Sequence, residues 1–212
     1  MLQANVLIAD DHAMVRAGIR RFLEDDAGVN RIGEAATGRD TLTMLRSDHW
    51  QLVILDIHMP DRSGIDILRH IRSGFPEVRV LVISGYPEQQ FAANVLKAGA
   101  SGFLSKDSPA DEMMRAVGIV LGGRRYVSAA LAELLVDRLD HDPEEPVHSL
   151  LSEREFQIFF KIAVGRSVSN IARELSLSVK TVSTYRARIL EKMKFSTNAD
   201  LTVYALRNEI IQ

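Results

Sequence analysis

Five short runs of apolar residues, separated by amphipathic segments, organise the first ~125 residues of the chain. Each run is too short for a helix, and most are rich in Val, Ile or Leu, which is typical of strands buried in a parallel sheet. The runs are Val6–Ala9, Ile32–Ala35, Leu52–Leu55, Val80–Ile83 and Gly102–Leu104. Helical periodicity lies near residues 14–25, 39–47, 64–73, 88–98 and 109–121. This alternation predicts an α/β domain with a doubly wound five-stranded parallel sheet, for which 2-1-3-4-5 is a common strand order.

The pattern changes after Gly122 and Gly123. A short helix is predicted over Ser128–Leu139, and the acidic, proline-containing stretch after it, residues 140–149, is typical of a solvated linker. We therefore predict a first domain over residues 1–124, a linker with a short helix over 125–148, and a second domain over 149–212.

The second domain carries only helical periodicity. Ser152 and Glu155 form a capping box in front of the first helix, which Gly165 ends. Candidate N-caps of three further helices are Ser167, Ser178 and Asn198. These helices are predicted over Val168–Leu175, over Val179–Met193, and from Asn198 to about Asn208. A tight turn between the second and third helices is typical of a helix-turn-helix, so we predict a small all-α domain of this type.

The amino-acid composition excludes several kinds of functional site. The 212-residue chain has no cysteine, which excludes disulfides, thiolate metal sites and a cysteine nucleophile and fits a reducing cytoplasm. No apolar run approaches the ~18–20 residues that span a bilayer, and the N-terminus is predicted to be a strand rather than a signal peptide. We expect a cytoplasmic protein with no membrane contact.

Charge is distributed unevenly although the net charge is only −2. Residues 1–149 hold 16 Lys and Arg against 22 Asp and Glu, whereas residues 150–212 hold 10 against 6. This asymmetry places any nucleic-acid contact in the second domain.

Acidic residues follow two strands that the predicted strand order makes neighbours. Asp10 and Asp11 follow the first strand and Asp56 follows the third, so their carboxylates would lie together and need a countercharge. A hard divalent cation held by oxygen ligands supplies it, and Mg²⁺ is the most favoured. Ser84 ends the fourth strand and Lys106 follows the fifth, at the same edge of the sheet. A carboxylate there can act as a nucleophile in phosphoryl transfer, with metal and lysine neutralising charge.

The third helix of the second domain has a face suited to DNA. At about 100° per residue, one stripe is expected to face the core and consists of Val182, Tyr185, Ile189 and Met193. The opposite side consists of Lys180, Thr184, Ala187 and Arg188, with Ser183 at its margin and Arg186 nearer the buried stripe. Small residues allow close entry into the major groove, and hydroxyl and guanidinium groups bond base edges or phosphates.

The motifs VLIADDH, LVILDIHMP, VISG and GFLSKD resemble, in order and spacing over about residues 4–122, the receiver domains of two-component response regulators. The resemblance implies a flavodoxin-like fold and Asp56 as the phosphoacceptor. It implies that Mg²⁺ is bound by the side chains of Asp11 and Asp56, supported by Asp10, and by the backbone carbonyl of His58.

The same resemblance implies that Ser84 and Lys106 hold the phosphoryl group. It makes Phe103, three residues before Lys106, a switch aromatic that acts with Ser84, although core packing is an alternative role. A sensor histidine kinase is the implied partner and phosphoryl donor.

Residues 151–193 resemble a LuxR-type helix-turn-helix, and with the receiver they indicate the NarL/FixJ class, within which they resemble the GacA/UvrY and BvgA kind. Double-stranded promoter DNA is the implied partner. The expected DNA contacts are Lys180, Thr181, Ser183, Thr184, Tyr185, Arg186, Ala187 and Arg188. The last helix resembles the dimerisation helix of this class, so an active homodimer is expected through Leu201, Tyr204 and Ala205, which can also pack in the domain core.

We therefore predict a phosphorylation-dependent DNA-binding transcription regulator and not an enzyme. One alternative is a phosphohydrolase with Asp56 as nucleophile, although such phosphatases usually carry a second carboxylate where this chain has His58. The other is a DNA-binding regulator that works without phosphorylation.

Overall fold

The computed structural model describes residues 4–24, 28–59, 61–85, 92, 95–133, 146–208 and 210–211. The chain divides into two units, Met1–His141 and Asp142–Gln212. The predicted helix over 88–98 lies mostly outside the described residues, as do residues 134–139 of the predicted short helix and most of the predicted linker. Residues 129–133 are helical.

Parallel strands form the centre of the first unit. Within the described residues they are β1 (Ala4–Ala9), β2 (Val29–Ala35), β3 (Leu52–Asp56), β4 (Arg79–Ser84) and β5 (Gly102–Ser105). Their order is β2-β1-β3-β4-β5, and every neighbouring pair is parallel, which confirms the predicted α/β sheet and its strand order. The five residues of β3 are all buried, which explains why this strand is a continuous apolar run.

The helices that are described over their full length pack on this sheet: α1 (Ala13–Glu24), α2 (Gly38–Ser47), α3 (Gly64–Gly74) and α4 (Ala110–Leu121). Thr37 and Ser63 cap α2 and α3, each by accepting a hydrogen bond from a backbone N–H three residues later. A core cluster includes Ile19 and Leu23 of α1, strand residues such as Ile54, and the buried face of α4. This packing holds the carboxyl ends of the strands in a fixed arrangement.

Helices are the regular elements found among the described residues of the second unit. They are a short 3₁₀ helix (Val147–Leu150), α5 (Glu153–Ala163), α6 (Val168–Glu174), α7 (Val179–Met193) and α8 (Asn198–Arg207). The capping box predicted at Ser152 and Glu155 is confirmed. Helix α5 packs against α7 and α8, and α6 packs against α7.

The N-cap of α8 is a correction to the sequence analysis. Asn198 is the first residue of the helix, and Thr197 is the cap. Thr197 has extended backbone angles and its hydroxyl accepts from the backbone N–H of Asp200, whose carboxylate accepts from the backbone N–H of Thr197. This reciprocal pair satisfies two backbone donors at the helix start, which Asn198 as cap would not do.

None of the helices among the described residues is both long and apolar enough to cross a bilayer.

Candidate functional site

The carboxylates of Asp10 and Asp56 lie at the same edge of the sheet because β1 and β3 are paired neighbours. Ala9 pairs with Leu55, so Asp10 and Asp56 each come one residue after this last pair. The backbone N–H of Asp10 donates to the carbonyl of Ala35, which continues the contact with β2. Both acids are fully buried, and charges in such a position require partners.

Lys106 supplies one partner. Its Nζ lies 2.7 Å from Asp56 Oδ2 and 2.8 Å from Asp10 Oδ2. The backbone N–H of Lys106 donates to the carbonyl of Ser84 at 2.7 Å, which fixes the loop after β5 to the end of β4. The ammonium group therefore lies between two buried carboxylates, as expected from the positions of these residues at strand ends.

The ionisation of this cluster follows from its contacts. Burial alone would raise the pKa of Asp56, but its hydrogen bond with His58 and the charge of Lys106 hold that pKa below its ordinary value. Burial would lower the pKa of Lys106, but the carboxylates of Asp56 and Asp10 hold it above its ordinary value. Asp56 is thus a carboxylate at neutral pH, which is the nucleophilic form.

Four residues bring possible metal-binding atoms together: Asp10, Asp11, His12 and Asp56 offer ligand atoms within 4.8 Å of one another. Asp11 is exposed, and His12 Nδ1 lies 2.6 Å from Asp11 Oδ1. Three carboxylates and one lysine leave two negative charges, which matches a divalent cation, and carboxylate oxygens suit a hard ion. The residues present therefore fit a divalent metal, and His12 adds a side chain that the sequence analysis did not assign to this site.

His58 contacts Asp56 directly, whereas Ser84 and Phe103 lie on the next two strands of the sheet, β4 and β5. The backbone N–H of His58 donates to Asp56 Oδ1 at 3.0 Å, and its ring Nδ1 lies 3.7 Å from the same oxygen. Ser84 is fully buried at the end of β4. Phe103 is also fully buried and pairs with Val82, so its side chain is part of the packed interior here.

Helix α7 has a buried and an exposed face as the sequence predicts, except that Tyr185 of the predicted buried stripe is partly exposed. Val182, Ile189 and Met193 are buried. The exposed side consists of Lys180, Ser183, Thr184, Ala187 and Arg188, whereas Thr181, Tyr185 and Arg186 are partly exposed. Ser178 caps the helix, and the turn before it passes through Ser176 in the left-handed region, with φ of 53°. The two helices of the helix-turn-helix are α6 and α7, and α7 presents its polar, basic face to solvent.

Comparison with known proteins places both units in families. Residues 6–118 match the response regulator receiver domain, and residues 149–205 match the luxR family of bacterial regulatory proteins. The chain is 36% identical to the response regulator UvrY of Escherichia coli K12 over 205 residues, which cover 96% of this chain and 94% of UvrY. It is 36% identical to the response regulator GacA of Pseudomonas protegens over 206 residues, 97% of each protein.

The chain belongs to the response regulators with a LuxR-type DNA-binding domain. Among solved structures, it is similar to RcsB of Salmonella enterica serovar Typhimurium bound to the promoter rprA in the presence of the phosphomimetic BeF₃⁻. The TM-score is 0.66 at 26% identity, over 95% of this chain and 98% of that one. The predicted DNA-binding transcription regulator of the response regulator family is therefore confirmed.

The last helix of this response regulator differs from the expectation for a dimer surface. Leu201 and Ala205 are fully buried inside the second unit, so they pack in its core and offer no surface to a partner. Tyr204 is partly exposed, and its hydroxyl lies 2.9 Å from His148 Nδ1. Val203 and Leu206 are the exposed large apolar residues of α8. Leu201 and Ala205 therefore take the core-packing role that the sequence also allows, and dimer contact through this helix stays a prediction.

Arg186 also has a local partner. Its Nε donates to Asn198 Oδ1 at 2.6 Å, which links the middle of α7 to the first residue of α8. A DNA contact through Arg186 would have to share or replace this bond.

Sequence reasoning missed Gly64, whose backbone N–H donates to the carbonyl of Ile57 at 3.0 Å. A Cβ at position 64 would lie 2.5 Å from the Cα of Ile57 and 2.9 Å from the carbonyl oxygen of Asp56. Only glycine therefore lets α3 begin so close to the loop after Asp56. The available signal is a glycine directly after the helix cap Ser63.

Proposed function

We propose that this response regulator accepts a phosphoryl group on Asp56 from a sensor histidine kinase, and that phosphorylation controls the binding of homodimers to promoter DNA in the cytoplasm. The observation that carries the proposal is the environment of Asp56. This carboxylate is fully buried, ionised, 2.7 Å from the ammonium of Lys106, and beside the acidic side chains of Asp10 and Asp11.

The proposed transfer is a displacement at phosphorus. An oxygen of the Asp56 carboxylate forms a bond to phosphorus while the bond to the histidine nitrogen of the kinase breaks, and that nitrogen keeps the electron pair. The side chains of Asp10, Asp11 and Asp56 and the carbonyl of His58 would hold Mg²⁺, which supplies neutralisation of phosphoryl charge.

Lys106 and Ser84 are proposed to bind oxygens of the attached phosphoryl group. Lys106 would then exchange its contact with Asp56 for one with the phosphoryl group. The side chain of Ser84, at the end of β4, would also move toward that group. Because the backbone N–H of Lys106 is bonded to the carbonyl of Ser84, these movements are linked. Phe103 of β5, three residues before Lys106, is the proposed aromatic partner of Ser84 in the switch. The switch shifts the balance between two existing receiver states.

The second unit is proposed to read DNA through α7. Ser183, Thr184 and Ala187 are exposed small side chains that suit close contact with base edges, and Lys180 and Arg188 suit contact with phosphates. Thr181, Tyr185 and Arg186 would border this contact. Neutralising phosphates releases counterions, so binding should weaken steeply as salt rises.

Phosphorylation is tested by incubating the full chain with acetyl phosphate and Mg²⁺ and measuring its intact mass. We expect one phosphoryl group per chain, lost in Asp56→Asn and kept in Asp107→Asn, which removes an exposed acid next to Lys106. Wild-type labelling of Asp56→Asn, or no labelling of the wild type, contradicts the site. Release of phosphate over many turnovers would support a phosphohydrolase instead.

DNA binding is tested with the same samples and a pool of random-sequence duplexes, followed by sequencing of the bound fraction. We expect phosphorylated wild type to enrich a paired half-site more strongly than Asp56→Asn does. Equal enrichment by both proteins would contradict phosphorylation control and support a regulator that works without it.

A further inference from the structure

Arg16 connects the acidic cluster to the end of β2. Its Nη1 donates to the backbone carbonyl of Asp10 at 2.8 Å, and its Nε donates to Glu34 Oε2 at 3.2 Å. The Arg16 side chain is only 15% exposed and Glu34 is 31% exposed. One guanidinium group in the first turns of α1 therefore holds both the loop after β1 and the strand beside it.

The carbonyl of Asp10 needs such a donor. The paired residues of β1 and β2 end at Ala9 and Ala35, so the sheet no longer supplies a partner on the side of Asp10 that faces β2. Backbone carbonyls in buried positions are nearly always paired, because an unpaired one loses its hydrogen bond to water without replacement. Arg16 satisfies this carbonyl and does so with a charged donor, which makes the stronger kind of hydrogen bond.

Holding this carbonyl also orients Asp11. The carbonyl of Asp10 and the N–H of Asp11 belong to one planar peptide group, so the direction of one determines the direction of the other. The Asp10 side chain then accepts from the backbone N–H of His12 at 2.7 Å, which closes the turn. The directions of both carboxylates thus depend on a single peptide plane.

Glu34 in turn fixes the guanidinium group. Hydrogen bonds from Arg20 and Arg16 hold the pKa of Glu34 below its ordinary value, so it stays ionised at neutral pH. Arg20 lies one turn further along α1 and donates to Glu34 and to Glu24. Arg16 and Arg20 therefore share one carboxylate, and Arg16 is the one that reaches the Asp10 carbonyl.

We propose that Arg16 is a positioning residue for the acidic cluster, and that its bond to the Asp10 carbonyl sets the divalent-cation affinity of Asp10, Asp11 and Asp56. This inference rests on the proposed function, which assigns a cation to these carboxylates. Arg16 acts through the backbone and contacts neither the phosphoryl group nor the cation.

The test compares Arg16→Gln with Arg20→Gln, which removes an arginine from the same carboxylate and the same helix. Mn²⁺ is the probe, and its free concentration is followed by electron paramagnetic resonance without any phosphodonor. Loss of a group that orients metal ligands typically weakens affinity about 10- to 100-fold, so we expect at least about a tenfold loss for Arg16→Gln and less than about a twofold loss for Arg20→Gln. Equal affinity of Arg16→Gln and wild type, or an equal loss in Arg20→Gln, would overturn the proposal.

A second measurement needs no metal. In the cation-free full chain, hydrogen exchange of the peptide over residues 10–15 should be faster in Arg16→Gln than in wild type and unchanged in Arg20→Gln. If wild type binds no Mn²⁺, the proposed metal site fails, and this comparison still decides the role of Arg16. Should Arg16→Gln fail to fold, Arg16→Lys and Arg20→Lys carry both measurements, because lysine keeps the charge but cannot bond two acceptors with a planar fork.

Discussion

Replacing Lys106 with methionine should destabilise the first unit by removing the cation between two buried carboxylates. Lys106 Nζ lies 2.7 Å from Asp56 and 2.8 Å from Asp10, both fully buried, and methionine keeps most of the apolar stem. Removing one partner of a buried ion pair costs about 3–5 kcal/mol, and because the Lys106 side chain is 18% exposed we expect the lower end, about 3 kcal/mol at pH 7.

Added Mg²⁺ should restore part of this loss. A ligand that binds only the folded state stabilises it by about 2.7 kcal/mol at 100 times its dissociation constant. The variant has one positive charge fewer among the same carboxylates, so it should bind a divalent cation more tightly than wild type. At a given Mg²⁺ concentration, its free energy of unfolding should therefore rise by more than that of wild type.

The contribution of Asp56 to the pH dependence of the unfolding free energy should also reverse its sign in Lys106→Met. In wild type the pKa of Asp56 is lowered, so its contribution to stability is present above the unfolded value near ~4 and is lost as pH falls through the lower folded value. In Lys106→Met, burial acts on Asp56 without this opposing charge and should raise its pKa above the unfolded value. The folded variant would then bind the extra proton, so its deficit should shrink between pH 7 and pH 5.

Urea unfolding followed by tryptophan fluorescence measures these quantities for the first unit alone. Trp50 is the single tryptophan, it is 4% exposed, and it belongs to that unit. Lys97→Met, at an exposed position of the same unit, is the control and should change stability little. The reasoning is refuted if Lys106→Met without Mg²⁺ is as stable as wild type, or if Mg²⁺ stabilises both proteins equally.

Two further predictions concern the loop after β3 and the face of α7. Gly64→Ala should lower the free energy of unfolding by about 1–3 kcal/mol and slow phosphorylation, since its Cβ would meet the backbone of Ile57; Gly74→Ala, where space is open, should do neither. Equal urea midpoints for the two glycine variants would contradict this. Thr184→Ala should change which duplexes are enriched, whereas Arg188→Ala should weaken binding to all of them by anisotropy titration; a uniform loss in both would show that they do not divide base and phosphate contacts.

The sequence predicts the bounds of a strand more closely when the whole strand is buried. The run Leu52–Leu55 differs by one residue from the observed β3, because both faces of this central strand are covered. For β2, only Ile32–Ala35 is predicted, whereas the strand begins at Val29. Its first residues include the exposed Asn30 and Arg31, since β2 is an edge strand of the sheet. Hydrophobic patterning detects burial, and it misses the part of a strand that is held by backbone pairing alone.

The same distinction applies to the candidate site. Asp10 and Lys106 directly follow strands and Asp56 ends one, and parallel strands that end at one edge must bring such residues together, so chain position and topology are sufficient to predict the constellation. Arg16 is a different case, because its partner is a backbone carbonyl, which every residue carries and no sequence pattern marks. From the sequence it is an arginine on an amphipathic helix, and only the arrangement of α1 over the end of β1 shows that it reaches Asp10. Side chains that bind the reacting groups are therefore the easier ones to predict from sequence, and the side chains that orient those groups through the backbone require the structure.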